Sequence, residues 1–490
     1  MQASPTSPPA GRAIVLVAVC ITSFLVPFLS SSINLALPAI GREFAMGAVL
    51  LGWVATSFLL ATAVFLLPFG RLADLIGRVP VYRAGLLLYA VFSVVSALSR
   101  GSGVLLAARA LQGVASAAIF GTAMAILTAT YPLRQRGRVL GISTATTYVG
   151  LSTGPFIGGA LTQHAGWRSI FWVNAALAVL NLSLVLWKLR GVGRMPDDRA
   201  PANAPTQRFD VTGSLLYAPA IFFLMYGLSV LPAWHGALLV AIGLAALAAF
   251  VRQERRAPAP LLHLDMLRRN PPFAFSNAAA LIHYSATFAV GFLLSLFLQY
   301  AQGFSPGRAG TILAVQPVLM AMLSPLAGRL SDRLEPRILA SAGMLLTSAG
   351  LTLLAFLGPA TSPAYLVAAL VILGTGFGLF SSPNTNAIMS SVTPPQYGFA
   401  AGMLATMRTI GQALSMAIAL LLFSLLIGGT AIGPREVPGF LRALRLAFSL
   451  FAVLCVIGAI ASAARGRIRP DESGPAAARP GGSWSSLIVV

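Results

Sequence analysis

Serial runs of apolar residues, most of them about 20 residues long, limit what this chain can fold into more than anything else in it. They fall at 13–40, 49–69, 81–98, 104–128, 139–161 and 169–189, then at 211–231 and 236–251, then at 273–301, 309–327, 338–357, 364–389, 400–427 and 440–464. A run of this length spans the hydrocarbon of a bilayer, where every backbone N–H and C=O must be satisfied within the segment, so each is expected as a helix. With 57% hydrophobic and 9% charged residues over 490 positions, the chain also has too little polar surface to cover a soluble globule. The fold class that follows is an all-α membrane protein with six, two and six spans, fourteen in total.

The formal charge of +21 could point to nucleic acid, but no aromatic-basic module or low-complexity basic tail accompanies it. Its distribution explains it. With the N-terminus inside, 24 Lys and Arg fall in segments on the N-terminal side and seven on the other, leaving Arg109 and Arg408 within runs. The positive-inside rule then puts both termini in the cytoplasm of a bacterial-type inner membrane, with anionic lipid headgroups as partners of the excess charge. Cys20 and Cys455 both lie in apolar runs and read as packing residues, so neither a disulfide nor a metal site is supported, and no cofactor is implied. The run after Arg12 has no clear small-residue cleavage site and is taken as a retained first helix. The four histidines, His164, His235, His263 and His283, are scattered and no nucleophile turn is present, which argues against an enzyme.

The chain is internally repeated. Gly70-Arg71-Leu72-Ala73-Asp74-Leu75-Ile76-Gly77-Arg78 is echoed by Gly328-Arg329-Leu330-Ser331-Asp332-Arg333 at an offset of 258 residues, and Gly137, Gly141 and Gly150 by Gly398, Gly402 and Gly411 at an offset of 261. Two related helix bundles around a central site are therefore expected. The boundaries are 1–190 for the first six-helix bundle, 191–270 for a linker and two inserted helices, 271–465 for the second bundle and 466–490 for a disordered cytoplasmic tail.

These motifs carry a resemblance to a known family. The Gly70 to Arg78 loop, Leu106-Ala107-Ala108-Arg109-Ala110-Leu111-Gln112-Gly113, and Gly150-Leu151-Ser152-Thr153-Gly154-Pro155-Phe156-Ile157-Gly158-Gly159 are similar to signatures of the major facilitator superfamily, in its fourteen-span drug:proton antiporter branch. Gly166-Trp167-Arg168, Phe209-Asp210-Val211-Thr212-Gly213, Leu298-Gln299-Tyr300 with Gly303-Phe304-Ser305-Pro306, and Arg408-Thr409-Ile410-Gly411-Gln412-Ala413 resemble further features of that branch. The resemblance implies a monomeric secondary transporter that exports small amphipathic solutes by rocking between inward-open and outward-open states, with protons as the coupling partner. It also implies a gating motif at Gly70, Asp74, Gly77, Arg78 and Asp332, and an antiporter-type helix at Gly150, Gly154, Pro155, Gly158 and Gly159. Asp74 is expected to accept backbone hydrogen bonds at the start of the third helix and to pair with Arg78 or another loop arginine; Asp210 is expected to cap the seventh.

One departure bears on coupling. Relatives of this branch commonly carry an aspartate a few residues before an Asn-x-Ala-x-Pro segment; here that segment is Asn34-Leu35-Ala36-Leu37-Pro38 and the aspartate's place is Leu29. None of the twelve acids lies inside an apolar run, which leaves His283 as the substitute proton carrier or as a packing residue. Arg109 and Arg408 read either as structural hydrogen-bond donors or as substrate and coupling residues, together with Asn34 and Gln112. Without acidic partners they make the cavity net positive, suited to an anionic or neutral amphipathic solute. Tyr148, Gln299, Gln316, Asn384 and Asn386 are candidates to line the pocket. The alternatives are a proton-independent exporter or facilitator of organic anions, a lipid flippase, and a non-transporting sensor.

Overall fold

The computed structural model describes residues 9–188, 211–257, 264–393 and 396–466. The expected cap at Asp210, the linker up to that residue, and the tail beyond Gly466 lie outside these. The first six helices are α1 (Pro9–Glu43), α2 (Ala48–Ile76), α3 (Arg78–Ala97), α4 (Ser102–Thr130), α5 (Leu133–Ala165) and α6 (Arg168–Lys188). The inserted pair is α7 (Val211–Val230) and α8 (Trp234–Glu254), followed by the short α9 (Leu264–Arg269). The last part holds α10 (Pro271–Thr287) and α11 (Ala289–Leu296), continued by a π-helical turn (Phe297–Ala301), then α12 (Pro306–Leu313), α13 (Val315–Ser331), α14 (Pro336–Leu354), α15 (Pro363–Ser390), α16 (Tyr397–Leu426) and α17 (Val437–Ala464).

Local sequence sets several helix starts. Pro271, Pro306 and Pro363 sit at first-turn positions where the missing N–H is harmless, and the residue before each caps the turn with its side chain: Asn270 accepts from Phe273 N (3.1 Å), Ser305 from Arg308 N (3.4 Å) and Ser362 from Tyr365 N (3.3 Å). Between α2 and α3 the chain turns on Gly77, whose φ of 102° lies where a Cβ would be strained. This turn gives the glycine of the loop motif a backbone reason. It also corrects an expectation, because Gly77 is the N-cap of α3 and no side chain caps that helix, Asp74 included.

Thirteen segments among the described residues are long and apolar enough to cross a membrane, with Pro271–Ala301 and Pro306–Ser331 each counted once. The remaining expected span, 139–161, falls in α5. That helix runs 33 residues beside α1, but its glycines, hydroxyl residues and basic first turn leave it less apolar than its neighbours.

The repeat seen in the sequence reappears in the packing. Helix α1 lies on α5 as α10 lies on α16, α2 on α4 as α13 on α15, and α3 on α4 and α6 as α14 on α15 and α17. The same glycines make the seams. A Cβ on Gly150 would come within 2.5 Å of the Phe24 carbonyl oxygen, and one on Gly411 within 2.6 Å of the Leu281 carbonyl oxygen. Close backbone approach of this kind is how helices associate where lipid offers no hydrophobic drive. The inserted α7 lies against both α2 and α16, fixed by Tyr217 Oη donating to the Ala63 carbonyl (3.0 Å) and by Trp53 and Tyr226 rings 5.5 Å apart, while α8 packs chiefly on α7.

The two sets of six helices meet at one end. There Ala48 N donates to the Thr430 carbonyl (2.9 Å), Ser295 Oγ to the Asn34 carbonyl (2.6 Å), Gln299 Nε2 to the Leu35 carbonyl (3.3 Å) and Gly307 N to Gln163 Oε1 (3.1 Å). Midway along α5, Tyr148 Oη and Ser381 Oγ are 2.6 Å apart. Among the described residues, this is the last hydrogen bond between the two halves on the way to the Gly77 turn. Beyond it Gly70, Gly141 and Gly402 face open space.

Candidate substrate site and gate

Just inside the Tyr148–Ser381 bridge, Tyr148 of α5, Tyr284 of α10, Met320 of α13 and Phe377 of α15 form one buried cluster across the two halves. Phe377 stands edge-on to Tyr284 with centroids 5.5 Å apart. Because Gly411 seats α16 directly on α10, Arg408, one turn earlier, is brought beside Tyr284; its guanidinium carbon lies 4.9 Å from that ring's centroid. Arg408 is half-buried, and no hydrogen bond or ion pair to a described residue engages it. An arginine at membrane depth costs about 2.5–3.5 kcal/mol on insertion scales unless a cavity or partner receives it. His283 is fully buried beside this cluster, 4.0 Å from Phe380 and 4.9 Å from Phe377 between centroids, and neither ring nitrogen has a hydrogen-bond partner among the described residues.

Arg109, Gln112 and Asn384 are satisfied within one half. Arg109 is 1% exposed; its Nε donates to the Val54 carbonyl of α2 (3.1 Å), Nη1 donates to Gln112 Oε1 (2.6 Å), and its guanidinium carbon lies 4.5 Å from the Phe58 ring centroid. Gln112 Nε2 passes the chain on to Ser93 Oγ of α3 (2.7 Å). The spacing of three residues along α4 points both side chains at α2 and α3, away from the partner half. Asn384, expected at the pocket wall, is 1% exposed and bonds inside the second half, giving Nδ2–H to the Ser276 carbonyl (3.1 Å) and accepting from Arg465 Nη1 (3.3 Å). Gln299 belongs to the closed seam and also donates to Ser295 Oγ (3.1 Å). Gln316 and Asn34 remain half-buried, Asn34 close to Gly291 of α11.

Two groupings escape a reading of the sequence. Arg465, counted in the sequence only as one of the cytoplasmic charges at the end of the second bundle, folds back at the end of α17 to bond Ser276, Asn384 and Ser462. Burial lowers its pKa to about 10, with Glu335 opposing and Arg337 adding to the shift, so it stays charged at neutral pH. At the closed end Glu43 accepts from Trp167 Nε1 (2.7 Å) and from both terminal nitrogens of Arg168 (2.8 and 2.6 Å). This explains the Gly166-Trp167-Arg168 motif as a clamp between α1 and α6.

The loop motif lies at the open end. Asp74, in the last turn of α2, pairs with Arg78 (3.4 Å) and Arg71 (3.9 Å), exposed contacts of the kind worth about 0–1 kcal/mol. Its repeat partner Asp332 accepts from Asn386 Nδ2 (3.3 Å), which also donates to Ser331 Oγ (2.9 Å). The antiporter-type helix makes both kinds of seam. Gly150, Gly154 and Gly158 receive α1 at Phe24, Phe28, Ser31 and Ser32, and Gly159 and Pro155 receive α12 of the other half at Pro306 and Gly310. Among the described residues no group of three or more His, Cys, Asp or Glu could hold a metal.

Comparison with known proteins gives the same architecture a family. The family model described as Major Facilitator Superfamily matches residues 19–273 and 276–489. The riboflavin transporter RibZ of Clostridioides difficile is 28% identical over 91% of this chain and 96% of its own length. The multidrug resistance protein Stp of Mycobacterium tuberculosis is 32% identical over 83% of this chain and 74% of its own, and the cephamycin export protein CmcT of Amycolatopsis lactamdurans 32% over 86% of each. The chain is a transporter rather than an enzyme, and it belongs to the Major Facilitator Superfamily.

Proposed function

We propose that this chain exports small amphipathic compounds across a bacterial inner membrane by alternating access, working as a monomer, and that the conformation described here is its inward-facing state. The observation that carries the reading is the one-sided join between the halves, tight from the Ala48–Thr430 contact to the Tyr148–Ser381 bridge and open around Gly70, Gly141 and Gly402. The excess of Lys and Arg on the Gly70 side supports a cytoplasmic open end, where those residues also meet anionic lipid headgroups. Solute enters there and reaches Arg408, Tyr284 and Tyr148. Breaking the closed seam while the Asp74 turn and the start of α16 come together then releases it outward. The relatives named for drug resistance, antibiotic export and riboflavin transport support a small organic solute.

Proton antiport is the coupling that the family resemblance implies, and under that reading His283 would be the side chain to carry the proton. The enclosure of its ring by Phe377 and Phe380 means that it would exchange protons only after the bundle moves. A second reading, export without protons, is favoured by the lack of any carboxylate inside an apolar run. Flux into proteoliposomes of cationic, neutral and anionic compounds, with and without a pH gradient, tests both. Antiport predicts flux that follows the pH gradient and is lost in His283→Gln; absence of transport for every compound would end the export reading.

A further inference from the structure

Of the two arginines that lie within apolar runs, Arg408 has the less to hold it among the described residues. It sits 11 residues into α16, about 16 Å along the axis from Tyr397. The ring beneath it, Tyr284, is 13 residues into α10, about 20 Å from Pro271, so the guanidinium is held at depth and does not reach back toward the helix start as a snorkelling arginine would. Arg109, the other arginine within a run, is bonded to Val54 and Gln112, whereas Arg408 has only the face of Tyr284. The acids of the described spans lie at helix ends: Glu43 closes α1, Asp74 is in the last turn of α2, Glu254 closes α8 and Asp332 follows α13. The position 261 residues earlier is Thr147, so the cation comes from one half alone.

We propose that Arg408, over the ring of Tyr284, receives the anionic group of the transported solute, so that the substrates of this site are organic monoanions with an apolar body, carried outward by the membrane potential without a proton. This rests on the export reading above and names its substrate class. A guanidinium held by a ring alone makes no hydrogen bond to it through its N–H edge, and that edge fits carboxylate, sulfonate or phosphate with two parallel hydrogen bonds. Met320, Phe377 and Tyr148, packed with Tyr284 in one buried cluster, offer apolar surface to such a body once the Tyr148–Ser381 bond opens as the halves rock. The drive follows from the charge. A cell interior is negative, so an anion leaving it moves down the field and needs no carrier carboxylate, which is the group this chain lacks within its runs.

The test uses full-length protein in liposomes with three naphthalene probes that share a ring system and differ in charge: 2-naphthalenesulfonate, 2-naphthalenesulfonamide and a naphthyl trimethylammonium. With pH equal on both sides and potassium about tenfold higher outside under valinomycin, the sulfonate is expected to accumulate inside about tenfold, the ratio one moved charge dictates. Exchange for a proton would give about a hundredfold, and movement together with a proton would give none; either result overturns the proton-free drive. Arg408→Gln is expected to lower the ratio of sulfonate to sulfonamide flux at least about tenfold, and Arg408→Lys to restore part of it. Because that ratio is internal to each preparation, loss of folded protein does not imitate it. An unchanged ratio in Arg408→Gln, or preference for the ammonium probe, overturns the anion site and leaves export standing. Failure of all three probes to outpace protein-free liposomes would instead remove the export reading.

Discussion

At the scale of single residues, the two intramembrane arginines separate by what surrounds them. Arg109 carries a chain of bonds from Val54 to Ser93, and its removal leaves the buried Gln112 Oε1 without its donor, takes one donor from the Val54 carbonyl and empties the space its side chain fills. Arg109→Ala is therefore expected to destabilise the protein by about 2–4 kcal/mol, seen as a fall in the thermal unfolding midpoint of the purified protein; an unchanged midpoint would contradict this. Tyr148→Phe removes only the bond to Ser381, worth about 1 kcal/mol, and should shift the conformational equilibrium roughly fivefold away from this state with little effect on unfolding. Labelling of single cysteines at the closed end, faster in Tyr148→Phe than in the parent, checks it. Both arginines were legible in the sequence as charges that something must satisfy. Their partners were not, because a composition pattern carries no helix phase, and phase decides that Arg109 faces α2 while Arg408 faces Tyr284. Asn384 and Arg465 show the same limit: one looked like a pocket wall and the other like one more cytoplasmic charge, yet they bond each other.

At the scale of elements, glycine spacing carries most of the architecture, and it was visible beforehand as the 261-residue offset. What the offset did not say is which face each glycine serves. On α5, Gly141, Tyr148, Pro155 and Gly159 fall on one face, which meets the other half at Ser381, Gly310 and Pro306 but has nothing opposite Gly141. On α2, Gly52 and Gly70 are 18 residues apart, five turns and about 27 Å, and Gly402 and Leu420 are spaced equally on α16. Leu420 already fills the space beside Gly52 at the closed end. When the opposite end closes, Gly70 is expected to meet Gly402. Gly402→Leu should then leave thermal stability unchanged or raise it by up to about 1 kcal/mol, since it adds a better helix former in open space, while cutting transport at least about tenfold. Gly150→Leu should do the reverse at the level of folding, because its side chain has only the α1 backbone to displace and overpacking of that kind costs about 1–3 kcal/mol or more. Paired unfolding and flux measurements decide both; full transport in Gly402→Leu would remove the proposed contact.

At the scale of the whole molecule, the membrane class, the repeat and the inserted pair followed from run lengths and from the two offsets, because hydrocarbon leaves a chain few alternatives. Hydropathy alone accounts for thirteen spans and misses α5, whose glycine and hydroxyl content serves its two seams. The conformation was not legible, since the sequence has to serve every state of the cycle. The claim that organises the rest is that the halves rock about the site between Tyr148 and Arg408. Spin labels on cysteines at Gln135 and Gln396, at the open end, and at Arg42 and Arg435, at the closed end, with Cys20 and Cys455 changed to serine, report it by pulsed dipolar distances. In the presence of a transported probe the first distance is expected to shorten as the second lengthens; distances that both stay fixed during transport, or that lengthen together, would contradict the account.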